Sequence, residues 1–125
     1  MEGDTSPALL KNWIDIAFPF YTQTPLNPDL LRRIVMKQPV RERFFGPGGE
    51  GRTMDMLHEL SRIQCPTLML GGALDPMLPI ECQRDIAAAI PQHLGRYREF
   101  EHCGHGVIPD APIEAMALLR EFIAG

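Results

Sequence analysis

Apolar positions in the first half of the chain recur at helical spacing and are punctuated by prolines. Ser6-Pro7 is a helix start, with the serine as N-cap and the proline at the first helical position. Leu9, Leu10, Trp13, Ile14 and Ala17 then share one face until Pro19. Asn27-Pro28 repeats the signal, and Leu30, Leu31, Ile34 and Val35 predict a second apolar face that ends at Pro39. Aromatic-rich loops are expected around Phe18, Phe20 and Tyr21, and around Phe44 and Phe45. The run Gly46-Pro47-Gly48-Gly49-Glu50-Gly51 is the strongest breaker. It divides the chain into a helical segment, residues 1–52, and a second segment, residues 53–125.

Beyond the breaker the period changes. A short helix over 53–61 presents Met56, Leu57 and Leu60. Thr67-Leu68-Met69-Leu70 ends at Gly71-Gly72 and does not alternate, which predicts a strand buried on both faces. Residues 79–90 read as a helix with Cys82, Ile86, Ala89 and Ile90 facing inward, and residues 96–100 as a second, more polar strand. Asp110 is positioned to cap a last helix with Ile113, Met116, Leu119, Phe122 and Ile123 on its inner face. The order strand, loop, helix, strand, loop, helix is that of an α/β sheet.

A crossover of this length joins parallel strands, so the loops after both strands leave the same edge, where ligands and reacting groups gather in open α/β sheets. The first loop carries Asp75 and the second His105. A carboxylate bonded to one imidazole nitrogen fixes the tautomer and supports the imidazolium formed when the other nitrogen takes a proton. These are two of the three members of a nucleophilic triad.

Composition narrows the function classes. Apolar residues at 45% and charged residues at 22% describe an ordinary globular chain. A net charge of −4 without a basic stripe argues against nucleic acid and against acidic membranes as partners. Three cysteines without Cys-x-x-Cys spacing predict neither a disulfide framework nor a zinc site, and a reducing cytoplasm is the expected compartment. Met1-Glu2-Gly3-Asp4 lacks a basic leader, and Lys11 and Asp15 interrupt the apolar stretch that comes next, so neither a signal peptide nor a membrane span is expected. His102, Cys103 and His105 lie close together, but no further ligands accompany them at metal spacing, so neither metal nor cofactor is expected. His102 is the rival base, Cys103 reads as packing, Glu101 as a strand-end carboxylate, and the aromatics of the first half as core.

The run from Ile63-Gln64-Cys65-Pro66 through Leu70-Gly71-Gly72-Ala73-Leu74-Asp75-Pro76 to Pro79 is succeeded by Cys103-Gly104-His105-Gly106 and a terminal amphipathic helix. This ordered set resembles the carboxyl-terminal part of an α/β-hydrolase, and from Ser61 onward it is most similar to the proline iminopeptidase-like serine hydrolases. The resemblance covers about residues 54–124, and residues 8–50 resemble the end of the helical cap of such enzymes. It implies Asp75 as the acid and His105 as the base of a Ser-Asp-His triad, with no cofactor. It also implies a small-molecule or short-peptide substrate, with cleavage after an amino-terminal proline favoured and Glu42 and Glu50 as candidate contacts to a positively charged substrate terminus.

The chain departs from the family at the nucleophile. Its only serines are Ser6 and Ser61, and neither lies in Gly-x-Ser-x-Gly. The early glycine-rich oxyanion loop is absent as well. The expectation is therefore a fragment or truncated form of a serine hydrolase, inactive alone. Its sheet edge would be covered by a missing amino-terminal half or by self-association. Alternatives are a non-catalytic interaction module, a complementing half of a split hydrolase, or another activity of the superfamily such as an esterase, a dehalogenase-like enzyme or an acyltransferase.

Overall fold

Two short parallel strands organise the carboxyl-terminal part of the chain. In the computed structural model, which describes residues 6–25, 27–33, 35 and 37–125, β1 (Thr67–Gly72) pairs with β2 (Gly95–Phe100). The register runs from Thr67 opposite Gly95 to Gly72 opposite Phe100. The crossover between them is α4 (Ile80–Ala89), and α5 (Val107–Asp110) and α6 (Pro112–Ala124) come after β2. A 3-10 helix, Leu57–Arg62, precedes β1 and packs on α4. The architecture is thus mixed helices with a two-stranded parallel sheet, in the α/β order that the sequence predicts.

The chain forms two compact units, one from the described residues of Met1–Pro19 and Leu26–Asp55, the other from Phe20–Pro25 and Met56–Gly125. In the first unit, α1 (Pro7–Asn12) opens as expected, with Ser6 Oγ accepting the Leu9 amide at 3.2 Å. It runs on through a π-helical turn, Trp13–Ala17, whose Trp13 ring lies 4.9 Å from that of Phe18. Asn27 Oδ1 accepts the Asp29 amide at 2.9 Å at the start of α2 (Pro28–Arg33). Ile34 lies outside the described residues, as do Met1-Glu2-Gly3-Asp4 and the side chains of Leu10, Leu30 and Leu31, so the faces predicted there are not taken further.

Pro39 does not end a helix. It sits in the first turn of α3 (Gln38–Phe45), where its missing N–H leaves no helical bond unmade, and Phe44 and Phe45 therefore belong to a helix and not a loop. The glycine-rich breaker turns the chain after α3, with Gly48 at φ +71° and Arg43 paired with Glu50 at 2.7 Å across the turn. Of the first-half aromatics, Trp13, Phe20 and Phe45 are exposed and Phe18, Tyr21 and Phe44 are half-buried, so they meet the expectation of core only in part.

In the second unit the core is Phe100, Cys103, Val107 and Ala115, with Leu70, Ala111 and Leu118 packed against it. Each large apolar side chain buried there contributes about 1.5–3 kcal/mol. The buried cluster therefore lies at the carboxyl ends of the strands, beside the loop that carries His105. Three expectations about faces hold only in part. On the face expected of α4, Ile86 and Ala89 are half-buried and Ile90, just past the helix, is buried, but Cys82 is exposed and Gln83 is buried in its place. On α6, Met116, Leu119 and Phe122 are half-buried as expected, whereas Ile113 is 87% exposed and Ile123 75%, and the most buried position is Ala115. So many positions of α6 are apolar that its period is compatible with more than one stripe, and the small Ala115 selects the one that packs closest. Residues 67–70 of β1 are only half-buried, because β2 is their single strand neighbour among the described residues. No helix among the described residues is long and apolar enough to cross a membrane.

Candidate functional site

Parallel pairing brings the two post-strand loops to one rim, and backbone bonds then lock them together. The Ala73 amide donates to Phe100 O at 3.0 Å and the Leu74 amide to Cys103 O at 2.9 Å. Gly72 permits this approach, because a Cβ there would stand 2.1 Å from Gly104 O and 2.4 Å from Cys103 O, far inside van der Waals contact with backbone atoms.

On this frame Asp75 and His105 meet. His105 Nδ1 lies 2.9 Å from Asp75 Oδ2. An ionised carboxylate only accepts, so Nδ1 carries the proton and Nε2 is left as the basic nitrogen. The other carboxylate oxygen of Asp75 accepts the amides of Met77 at 2.7 Å and Leu78 at 3.0 Å. The Asp75 side chain is 6% exposed and that of His105 52%. Burial pushes the Asp75 carboxyl up, but the bonds from His105, Leu78 and Met77 together outweigh it and hold the group below its ordinary value. The pair thus has a buried, ionised carboxylate behind an imidazole that opens to solvent. Of the two candidate histidines, His105 makes this bond, and His102 is exposed on the same loop.

Two side chains that sequence reading did not place in the site hold it in position. Gln83, 1% exposed, donates from Nε2 to Gly72 O at 2.9 Å and to Leu78 O at 2.7 Å, so it brackets the Asp75 loop at both ends. Its Oε1 accepts the Tyr97 hydroxyl at 3.2 Å, which ties that loop to β2. The available signal was the helical stripe Ile80, Gln83, Ala87, which passes through the glutamine. Asp110 does not cap α6: it ends α5, and Ala111 occupies the N-cap position without a side-chain bond. Its carboxylate instead accepts the amides of Gly104, Gln23 and Thr24 and the Thr24 hydroxyl, all at 2.7–2.9 Å. Burial pushes the Asp110 carboxyl up, and these bonds more than reverse it, leaving the group below its ordinary value.

The segment 20–25 therefore lies along the His105 loop. Tyr21 O accepts the His105 amide at 2.6 Å, and the Tyr21 and His105 rings meet edge-on with centroids 5.6 Å apart. No local pattern in the sequence announces this contact between residues more than eighty positions apart.

Cys103 is buried, and burial raises its thiol above the ordinary value, which disfavours a thiolate nucleophile. Ser6 caps α1 and the Ser61 hydroxyl donates to His58 O at 3.1 Å. Glu101 is exposed at the end of β2. Glu42 accepts Gln38 Nε2 at 2.9 Å and Glu50 pairs with Arg43. No group of three His, Cys, Asp or Glu side chains suited to a metal ion occurs among the described residues. A cavity of about 360 Å³ beside the start of β2, lined by Met69, Ala87, Ile90 and Tyr97 among others, includes neither Asp75 nor His105. Comparison of the chain with protein-family models and with curated proteins finds no match.

Proposed function

We propose that this chain supplies the acid and the base of a Ser-Asp-His triad in a serine hydrolase of the α/β-hydrolase type, with the nucleophile outside these 125 residues. The observation that carries the reading is the 2.9 Å contact between the buried Asp75 carboxylate and Nδ1 of the solvent-open His105. In the reaction, His105 Nε2 takes the proton of an attacking serine as an ester or amide carbonyl is opened, and returns it to the leaving group. Asp75 holds the imidazole in the productive tautomer and stabilises its charged form. The proline iminopeptidase-like phrasing of the sequence favours a short peptide with an amino-terminal proline as substrate. The edge of β1 away from β2, without a strand neighbour among the described residues, is where the strand system bearing the nucleophile joins.

The test is labelling by a fluorophosphonate serine probe. The isolated chain is expected not to label. The chain joined behind the Gly-x-Ser-x-Gly-bearing half of a proline iminopeptidase is expected to label, and to lose that labelling in His105→Ala. Labelling of the isolated chain, or labelling of the joined protein that His105→Ala leaves intact, overturns the reading.

A further inference from the structure

The Asp75–His105 pair is fixed on its acid side by the Asp75 loop's own amides, but the histidine loop depends on bonds from outside it. Gly104 and His105 lie beyond β2 and outside the ladder, since the register ends at Gly72 opposite Phe100. Their backbone amides are satisfied from elsewhere. The Gly104 amide goes to Asp110 Oδ2 at 2.8 Å and the His105 amide to Tyr21 O at 2.6 Å. Tyr21 is in turn held through its near neighbours Gln23 and Thr24, because Asp110 Oδ1 accepts both of their amides and the Thr24 hydroxyl. The Thr24 hydroxyl also approaches Pro109 O at 3.0 Å. One carboxylate therefore joins the residue before His105 to the strip whose carbonyl receives His105 itself. A Cβ on Gly104 would stand 2.4 Å from Tyr21 O, so the strip is seated directly on the loop backbone.

We propose that Asp110 is a positioning residue for His105: by clamping residues 23–24 and Gly104 together it sets the backbone and ring orientation in which His105 Nδ1 faces Asp75. The proposal rests on the hydrolase reading for what the orientation serves, but its geometry is measurable in this chain alone. An ionised carboxylate suits the role because all four of its partners are donors, two converging amides and a hydroxyl on one oxygen and one amide on the other.

The experiment compares the full chain with Asp110→Ala and Asp110→Asn by NMR. Asp110→Ala removes all four bonds. Amide exchange at Gly104 and His105 is expected to quicken about tenfold or more, the loss of roughly one hydrogen bond each. The cross-peak between the Tyr21 and His105 rings is expected to disappear, and the Asp75 carboxyl to titrate higher as it loses its imidazole donor. Exchange at Met69 and Gly71, whose amides face β2 in the alternation set by Thr67 N–H to Leu94 O and Ala73 N–H to Phe100 O, stays slow and shows that the sheet is intact. Asp110→Asn retains an acceptor oxygen, which goes to the three donors of residues 23–24 and leaves an amide group facing the Gly104 N–H. This variant preserves slow exchange at Gln23 and Thr24 and falls between wild type and Asp110→Ala in the other readouts. It also serves where Asp110→Ala fails to fold.

A merely structural role leaves the Asp75 titration and the ring cross-peak unmoved. Finding both unchanged in a folded variant overturns the proposal while leaving the hydrolase reading in place. Failure of the fluorophosphonate test removes the hydrolase reading, and the NMR comparison still decides whether Asp110 orients His105.

Discussion

Replacing Gly72 by alanine tests the closure of the two loops without touching either member of the pair. The added Cβ would lie 2.1 Å from Gly104 O and 2.4 Å from Cys103 O, where ordinary contact begins near 3.4 Å, so the loops must part by about 1 Å or more. Neither obstacle is the end of a flexible side chain. A separation of that size takes the 2.9 Å contact of Asp75 with His105 past hydrogen-bonding range, and strains the 2.9 Å bond from Leu74 to Cys103 O as well. Overpacking of this kind costs about 1–3 kcal/mol, and each lost hydrogen bond adds about 1 kcal/mol. Together these come to about 3–5 kcal/mol, and with a urea slope of about 2 kcal/mol per molar the midpoint drops by roughly 2 M.

The single tryptophan, Trp13, belongs to the other unit, so unfolding is followed by far-UV circular dichroism and the Asp75 carboxyl by NMR titration. Gly95→Ala is the control, since its Cβ would come closest to the Ile90 Cγ2 methyl at 3.1 Å, a contact that a small side-chain shift relieves. The expected outcome is a lower midpoint for Gly72→Ala than for Gly95→Ala, together with an Asp75 titration moved up towards the ordinary value. Equal midpoints, with the Asp75 carboxyl still low in Gly72→Ala, contradict the claim that close loop packing makes the pair.

Two further outcomes are expected. Asp75 and Asp110 are both held below the ordinary 3.8, so between the folded and unfolded values the unfolded chain binds more protons. Their contribution to stability is complete above the unfolded value and is lost as pH falls through the folded values. Denaturant midpoints measured downward from about pH 5 should therefore decline most steeply below the ordinary carboxylate range, and less so when both residues are asparagine; a midpoint insensitive to acid counts against both assignments. Gln83→Leu leaves Gly72 O, Leu78 O and the Tyr97 hydroxyl without their shared partner, at about 1–3 kcal/mol for each buried group not rescued by water. A denaturant midpoint unchanged by this substitution shows that the glutamine does not hold the Asp75 loop.

The chain's local chemistry determined a good deal by itself. Helix starts at Ser6-Pro7 and Asn27-Pro28 arise from a side-chain acceptor beside a residue that needs no N–H, and the structure contains both bonds. The short apolar run into Gly71-Gly72 and the polar strand ending at Phe100 set the order of the sheet, and that order carried Asp75 and His105 to one rim. Such features depend on neighbours a few residues away.

Tertiary packing alone decided the rest. That Ala115 is the most buried position of α6 depended on how closely the helix can approach the core, which its mostly apolar pattern does not specify. Gln83 became the buried pin of the acid loop because two carbonyls and a hydroxyl converge there from three places in the chain. Asp110 left its expected place at the head of α6 because segment 20–25 and Gly104 present four donors that converge on its carboxylate. Hydrogen-bond demand of this kind arises only once distant backbone segments have been brought together, and so no window along the chain contains it.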